Sequence, residues 1–173
     1  MSAPPPPSAS SPSASSHPAS SHPAPRIDSR EFYALAPEAV AALRALGSAV
    51  EAAGLDRGML ELVKLRASQI NGCGYCVQYH LNLARSLGVP QVKLDLACVW
   101  REAGVFSGRE CAALAWTEAL TARPADGAPD DLYAALCAEF TRTEIAALTA
   151  AIANINAWNR IAAPLRFAPP IPA

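Results

Sequence analysis

Apolar positions recur three and four residues apart from Ile27 almost to the C-terminal prolines, and no window alternates with period two between hairpin turns. Pro37, at a first-turn position, opens the run PEAVAALRALGSAVEAAG, which stops at Gly54. Asp56 caps a second helix, in which Leu60, Val63, Ala67 and Ile70 keep helical spacing until Asn71-Gly72 ends it. A third runs from near Cys73 to Gly88, and Pro90 opens a fourth that continues through Ala103 to Gly104. Ser107 and Glu110 form a capping-box pattern before a helix reaching about Ala122. The segment ARPADGAPDD is a loop, and a short helix follows around Leu132 to Phe140. Thr141 and Glu144 make a second capping box, and Ile145, Leu148, Ile152 and Ile155 stripe a last helix that carries Trp158. From Pro164 the chain is expected to fray outward. The pattern predicts an all-α domain of about seven helices.

Composition separates that domain from what precedes it. Residues 1–26 are Pro, Ser and Ala, with eight of the sixteen prolines and no large aliphatic or aromatic side chain beyond Met1. Such a stretch cannot bury enough apolar area to offset its ordering entropy, so it predicts a disordered tail ahead of a helical domain at 27–173. It lacks the basic start and apolar block of a secretory signal, and His17 and His22, in Ser-His-Pro repeats, make a poor metal site. The net charge of -1 gives no footprint for nucleic acid. No apolar run approaches the ~18 residues of a membrane span. Five cysteines, an odd number in a chain large enough to build a core, point to a reducing compartment, hence a cytoplasmic protein whose disulfide, if any, is catalytic.

The candidate chemistry lies in ELVKLRASQINGCGYCVQYHLNLARSLG, residues 61–88. Cys73 and Cys76 form a CxxC at a helix start, where unpaired N–H groups favour a thiolate. His80 follows Cys76 by four residues on the same face and can take its proton. Cys73 can close a disulfide once Cys76 is oxidised, as a resolving cysteine does. Glu61, on the preceding helix, orients His80 or relays its proton if the two helices pack accordingly.

Each residue also has a plainer reading. His80 lies on the stripe Cys76, His80, Leu83, Leu87 and could be a hydrogen-bonded core histidine; Glu61 could be a solvated helix face, and Tyr75 and Tyr79 could simply pack. Cys98, Cys111 and Cys137 sit singly in apolar stripes and read as small core hydrophobes. Zinc is a chemical rival, but no second CxxC or HxxxH completes a tetrahedral site, and no metal is expected. Val77 rather than histidine after Cys76 excludes haem attachment, and no βαβ pattern supports a thioredoxin fold.

At these residues the chain resembles the alkylhydroperoxidase AhpD / carboxymuconolactone decarboxylase family. Glu61, Cys73, Cys76 and His80 match its motif of glutamate, eleven residues, CxxC, three residues and histidine. NLARSLGVP, VWREAGVFSGRECAALAWTEALT and NINAWNRIA also resemble compact members, so the similarity covers roughly residues 27 to 167. The resemblance implies an AhpD-like helical bundle assembling as a trimer or hexamer. It implies a thiol-dependent peroxidase or disulfide reductase in which Cys76 attacks the peroxide, Cys73 resolves, and His80 and Glu61 relay protons. No cofactor is expected beyond the Cys73–Cys76 redox disulfide, which an external dithiol such as a lipoyl-bearing partner recycles, with a peroxiredoxin as a further redox partner. Helices as rich in alanine and leucine as ALRALGSAVEAAG also favour a homo-oligomer. One departure stands out: AhpD proper has a histidine immediately before the second cysteine, and this chain has Tyr75. The alternatives are a non-enzymatic redox-sensing oligomer and a lyase of the decarboxylase branch, which generally lacks the cysteine pair.

Overall fold

A computed structural model describes residues 24–122 and 127–172. The predicted disordered tail, as far as residue 23, and part of the proline-rich loop lie outside the described residues. The described residues form nine α-helices, one 3-10 turn and no strand. In order these are α1 (Ser29–Leu35), α2 (Pro37–Ala52), α3 (Arg57–Ile70), α4 (Gly74–Ser86), α5 (Gln91–Leu96), α6 (Trp100–Ala103), α7 (Gly108–Ala122), α8 (Asp130–Glu139) and α9 (Arg142–Leu165). Among the described residues no helix is long and apolar enough to cross a membrane.

The helix starts follow local capping chemistry. Asp56 Oδ1 accepts from the Met59 N–H at 2.7 Å. Ser107 with Glu110, and Thr141 with Glu144, exchange reciprocal bonds between side chain and backbone. Because each involves residues three apart, the pattern was readable without the fold.

Helix α3 is the centre of the domain. It packs on α4, α7 and α9, and is buried on every side rather than along one stripe. Leu60 and Val63 enter a core with Leu136, Leu148 and Ile152, whereas Leu62 and Leu65 enter another with Leu94, Trp100 and Leu114. Ala67 joins a third cluster containing Cys73, Cys76 and Phe167. A single helix in all three cores must carry its functional side chains in tight surroundings. Ile70, placed on the buried stripe by spacing, is instead exposed at the end of α3.

Three further expectations change. First, α1 precedes the first predicted helix: Asp28 accepts from the Glu31 N–H at 2.8 Å and starts it. Second, the predicted fourth helix breaks into α5, the 3-10 turn Ala97–Val99 and α6. Leu94, Ala97 and Trp100 are all buried, and their three-residue spacing suits the 3-10 period, which eclipses i and i+3. The tightening turns Cys98 and Val99 outward. Cys98 is therefore exposed, as is Cys137 on α8, and neither is the core residue expected; Cys111, partly buried, packs against the cluster of Leu62 and Leu114. A short helix held by one buried residue, Leu136, leaves its neighbour Cys137 facing away.

Third, the chain beyond Pro164 does not fray. The α9 helix ends at Arg166, in the left-handed region at φ 59°, and the next residues turn back over α4. Phe167 is buried against Phe32 and Tyr75, and the Asn82 amide donates to Pro170 O at 2.9 Å. Arg26, assigned to the tail by composition, donates its N–H to Leu165 O at 3.0 Å.

Candidate active site

The site begins at the junction of α3 and α4. Asn71 caps α3, and Gly72 takes φ 64°, a conformation that favours glycine and reverses the chain in two residues. The Asn71 Nδ2 group donates to Ala67 O, Asn156 Oδ1 and Asn159 Oδ1, at 3.0, 2.9 and 2.9 Å. Asn159 Nδ2 in turn donates to Ser68 Oγ at 3.1 Å. The buried asparagines of α9 thus fix the turn that launches α4.

Cys73 is the N-cap of α4, its sulfur accepting from the Cys76 N–H at 3.3 Å. The two sulfurs form a disulfide across a Cα–Cα separation of 5.3 Å. The pair is not equivalent. Cys73 is 0% exposed, whereas Cys76, at 3%, lines a cleft of about 560 Å³ between α1, α2, α3, α4 and α9. The helix N-terminus therefore acts directly on the sulfur of Cys73, and the way in from solvent leads to Cys76.

Helix packing decides the Glu61 question. The α3 and α4 helices bring Glu61 Oε2 to 2.6 Å from His80 Nδ1, and Lys64 Nζ donates to Glu61 Oε1 at 2.8 Å. Burial pushes the Glu61 carboxyl up, but the hydrogen bond and charge of His80, together with Lys64, outweigh it and hold the carboxyl below its ordinary value of 4.5. An ionised carboxylate only accepts, so Nδ1 carries the hydrogen and donates to it. In the neutral form of the ring this leaves Nε2 to accept a proton, and His80 lines the same cleft as Cys76. Tyr79 packs edge-on against the imidazole, with ring centres 5.3 Å apart.

Tyr75, where AhpD proper has its additional histidine, stacks on Tyr79 and lies 3.3 Å, oxygen to oxygen, from the Tyr33 hydroxyl. Burial, followed by that hydrogen bond, raises the Tyr75 phenol well above the ordinary tyrosine range. At neutral pH it is an O–H group and cannot act as the base a histidine would supply.

All four residues singled out by the motif therefore meet at one place. Sequence reasoning missed Lys64, although its i,i+3 spacing from Glu61 was a usable signal. It also missed Tyr33, Arg44 and Asn154, which reach the cleft from α1, α2 and α9 with no local signature. Asn154 gives its amide N–H to Leu43 O at 3.2 Å, and its buried Oδ1 has no hydrogen-bond partner among the described residues. Among the described residues no group of three His, Cys, Asp or Glu side chains is arranged to hold a metal ion.

Known proteins share this arrangement of sequence and fold. The model of the carboxymuconolactone decarboxylase family matches residues 37–119, which include all four motif residues. An uncharacterized Bacillus subtilis protein, YdfG, is 32% identical over 130 residues, an alignment covering 75% of this chain and 88% of that protein. The chain belongs to the carboxymuconolactone decarboxylase family. A crystal structure from Agrobacterium tumefaciens, of a protein of unknown function ascribed to AhpD-type antioxidant defence, is 40% identical. It superposes with a TM-score of 0.81 over 86% of this chain and 100% of its own. The debrominase Bmp8, 19% identical, has the same fold at a TM-score of 0.68 over 77% of this chain and 72% of its own. Within this family of helical proteins, the matched segment ends in α7. The wall supplied by α9 and the covering Phe167 lie beyond it.

Proposed function

We propose that this member of the family is a thiol-dependent peroxidase that reduces organic hydroperoxides through its CxxC pair. The observation that carries the reading is the position of Cys76 in the cleft wall with His80, whose Nδ1 is held by Glu61 at 2.6 Å. In the reduced protein His80 Nε2 takes the Cys76 thiol proton. The thiolate attacks the outer peroxide oxygen, the O–O bond breaks, and the proton returned by His80 releases an alcohol. Cys76 is left as a sulfenic acid; the Cys73 thiol condenses with it, forming the disulfide and releasing water. An external dithiol, such as a lipoyl-bearing protein, then reduces the disulfide by thiol exchange. Two thiols and one hydroperoxide thus yield a disulfide, an alcohol and water. A peroxiredoxin is a further candidate partner, and a cytoplasmic trimer or hexamer is the assembly this reading favours.

The test is consumption of cumene hydroperoxide with dihydrolipoamide as reductant. Cys76→Ser should fall to the uncatalysed rate, and Cys73→Ser should accumulate a sulfenic acid at Cys76 that dimedone captures. Undiminished turnover in Cys76→Ser would rule the mechanism out.

A further inference from the structure

The cleft in front of Cys76 is far larger than hydrogen peroxide requires. Its 560 Å³ falls within the roughly 300–1,000 Å³ of pockets that enclose drug-sized organic molecules. Most of its wall is apolar: Leu43, Leu83 and Ile155 face it together with Tyr33 and Trp158. A small polar peroxide would leave that wall wet, whereas a substrate with a substantial hydrocarbon body would cover it.

The wall also carries charge. Lys64 is paired with the buried Glu61 at 2.8 Å, and the carboxylate in the wall, Glu51, faces Arg57 at 3.9 Å. Arg44 differs. Among the described residues no carboxylate lies within ion-pair distance of it, and its guanidinium sits over the Tyr33 ring, 5.0 Å from the centre. That cation–π contact holds the guanidinium against the aromatic wall without using its N–H groups, which stay available to an anion. From Arg44 the aromatic wall runs through Tyr33 to Tyr75, Tyr79 and His80. Both phenols are raised, chiefly by burial; the Arg44 charge opposes this at Tyr75 and Tyr79, whereas Glu61 and Glu51 add to it at Tyr79.

We propose that the cleft selects amphipathic hydroperoxides, an apolar body along the aromatic wall with a carboxylate on Arg44 and the peroxide group at Cys76. The choice of substrate rests on the peroxidase reading, but the ligand class can be tested without turnover. A long-chain hydroxy fatty acid is the alcohol product of such a substrate, and its methyl ester lacks only the charge. Both are titrated calorimetrically into the oxidised protein below their micellar concentrations.

The acid should bind about tenfold more tightly than the ester, the ratio expected of one charge-assisted bond partly open to water. In Arg44→Gln the ratio should fall to about one, and Arg44→Lys should keep part of it. Arg44 is exposed on α2, so neither variant removes a core contact. Equal affinity for acid and ester, no binding of either, or a ratio unchanged in Arg44→Gln would overturn the proposal. Selective binding of the acid without turnover of any hydroperoxide, the matching fatty-acid hydroperoxide included, would refute the peroxidase reading and leave the ligand class standing.

Discussion

Replacing Glu61 by glutamine tests the buried His80–Glu61–Lys64 arrangement without assuming any reaction. The side chain keeps its shape and an oxygen for the His80 N–H, but loses the charge that both partners use. Hydrogen bonds to charged groups contribute about 1.5–3 kcal/mol each, and Glu61 makes two, at 2.6 and 2.8 Å. The amide oxygen retains part of the first bond, and Lys64, 15% exposed at its side chain, can turn its ammonium toward water. We therefore expect a loss of about 2 kcal/mol at neutral pH, less than the ~3–5 kcal/mol for breaking a fully buried pair.

The pH dependence of that loss carries a sign. The folded-state carboxyl lies below 4.5, its value when unfolded, so the unfolded chain binds the proton more readily. The contribution is complete above the unfolded value and disappears as pH falls through the folded one. Urea unfolding followed by circular dichroism, at fixed protein concentration with both proteins oxidised, should show the full gap at pH 7. The gap should hold toward about pH 5.5 and narrow below pH 4.5. A gap below about 0.5 kcal/mol at pH 7, or one unchanged at the acid end of the range, would refute the reasoning.

Three other outcomes follow from particular contacts. In reduced protein Cys73→Ala should be less stable than Cys73→Ser by about 1 kcal/mol, because the serine hydroxyl can replace the sulfur that caps α4; equal urea midpoints would contradict that role. Asn71→Ala should cost about 1–3 kcal/mol in the same assay, since it strips a donor from Asn159, which is 1% exposed; a neutral variant would mean the turn is held by Gly72 alone. Phe167→Ala should cost about 3 kcal/mol and speed alkylation of Cys73 in the reduced protein, because the ring lies in the cluster that covers it. Unchanged labelling there would show that access to Cys73 comes from elsewhere.

By itself the sequence determined what depends on near neighbours. The all-α class, the caps at Asp56, Ser107 and Thr141, the helix start at Cys73 and the spacing of Cys76 and His80 all arise from residues within a turn or two. The family resemblance extended this to Glu61, because a motif records a tertiary neighbour that spacing alone cannot identify. Tertiary structure decided the rest. Whether Glu61 reaches His80 depends on how α3 crosses α4, and α3 is buried on every side, so no single apolar stripe marked its working face. Cys98 was misread because a 3-10 turn changes the period that assigns faces. The proline-rich end looked like a fraying tail, yet Phe167 finds a pocket built by Phe32, Tyr33 and Tyr75. Arg44 and Tyr33 enter the cleft from helices whose sequences give no hint of it. Local patterns report backbone preferences over a few residues; a site assembled from α1, α2, α3, α4 and α9 exists only once long-range burial has overcome the entropy of bringing them together.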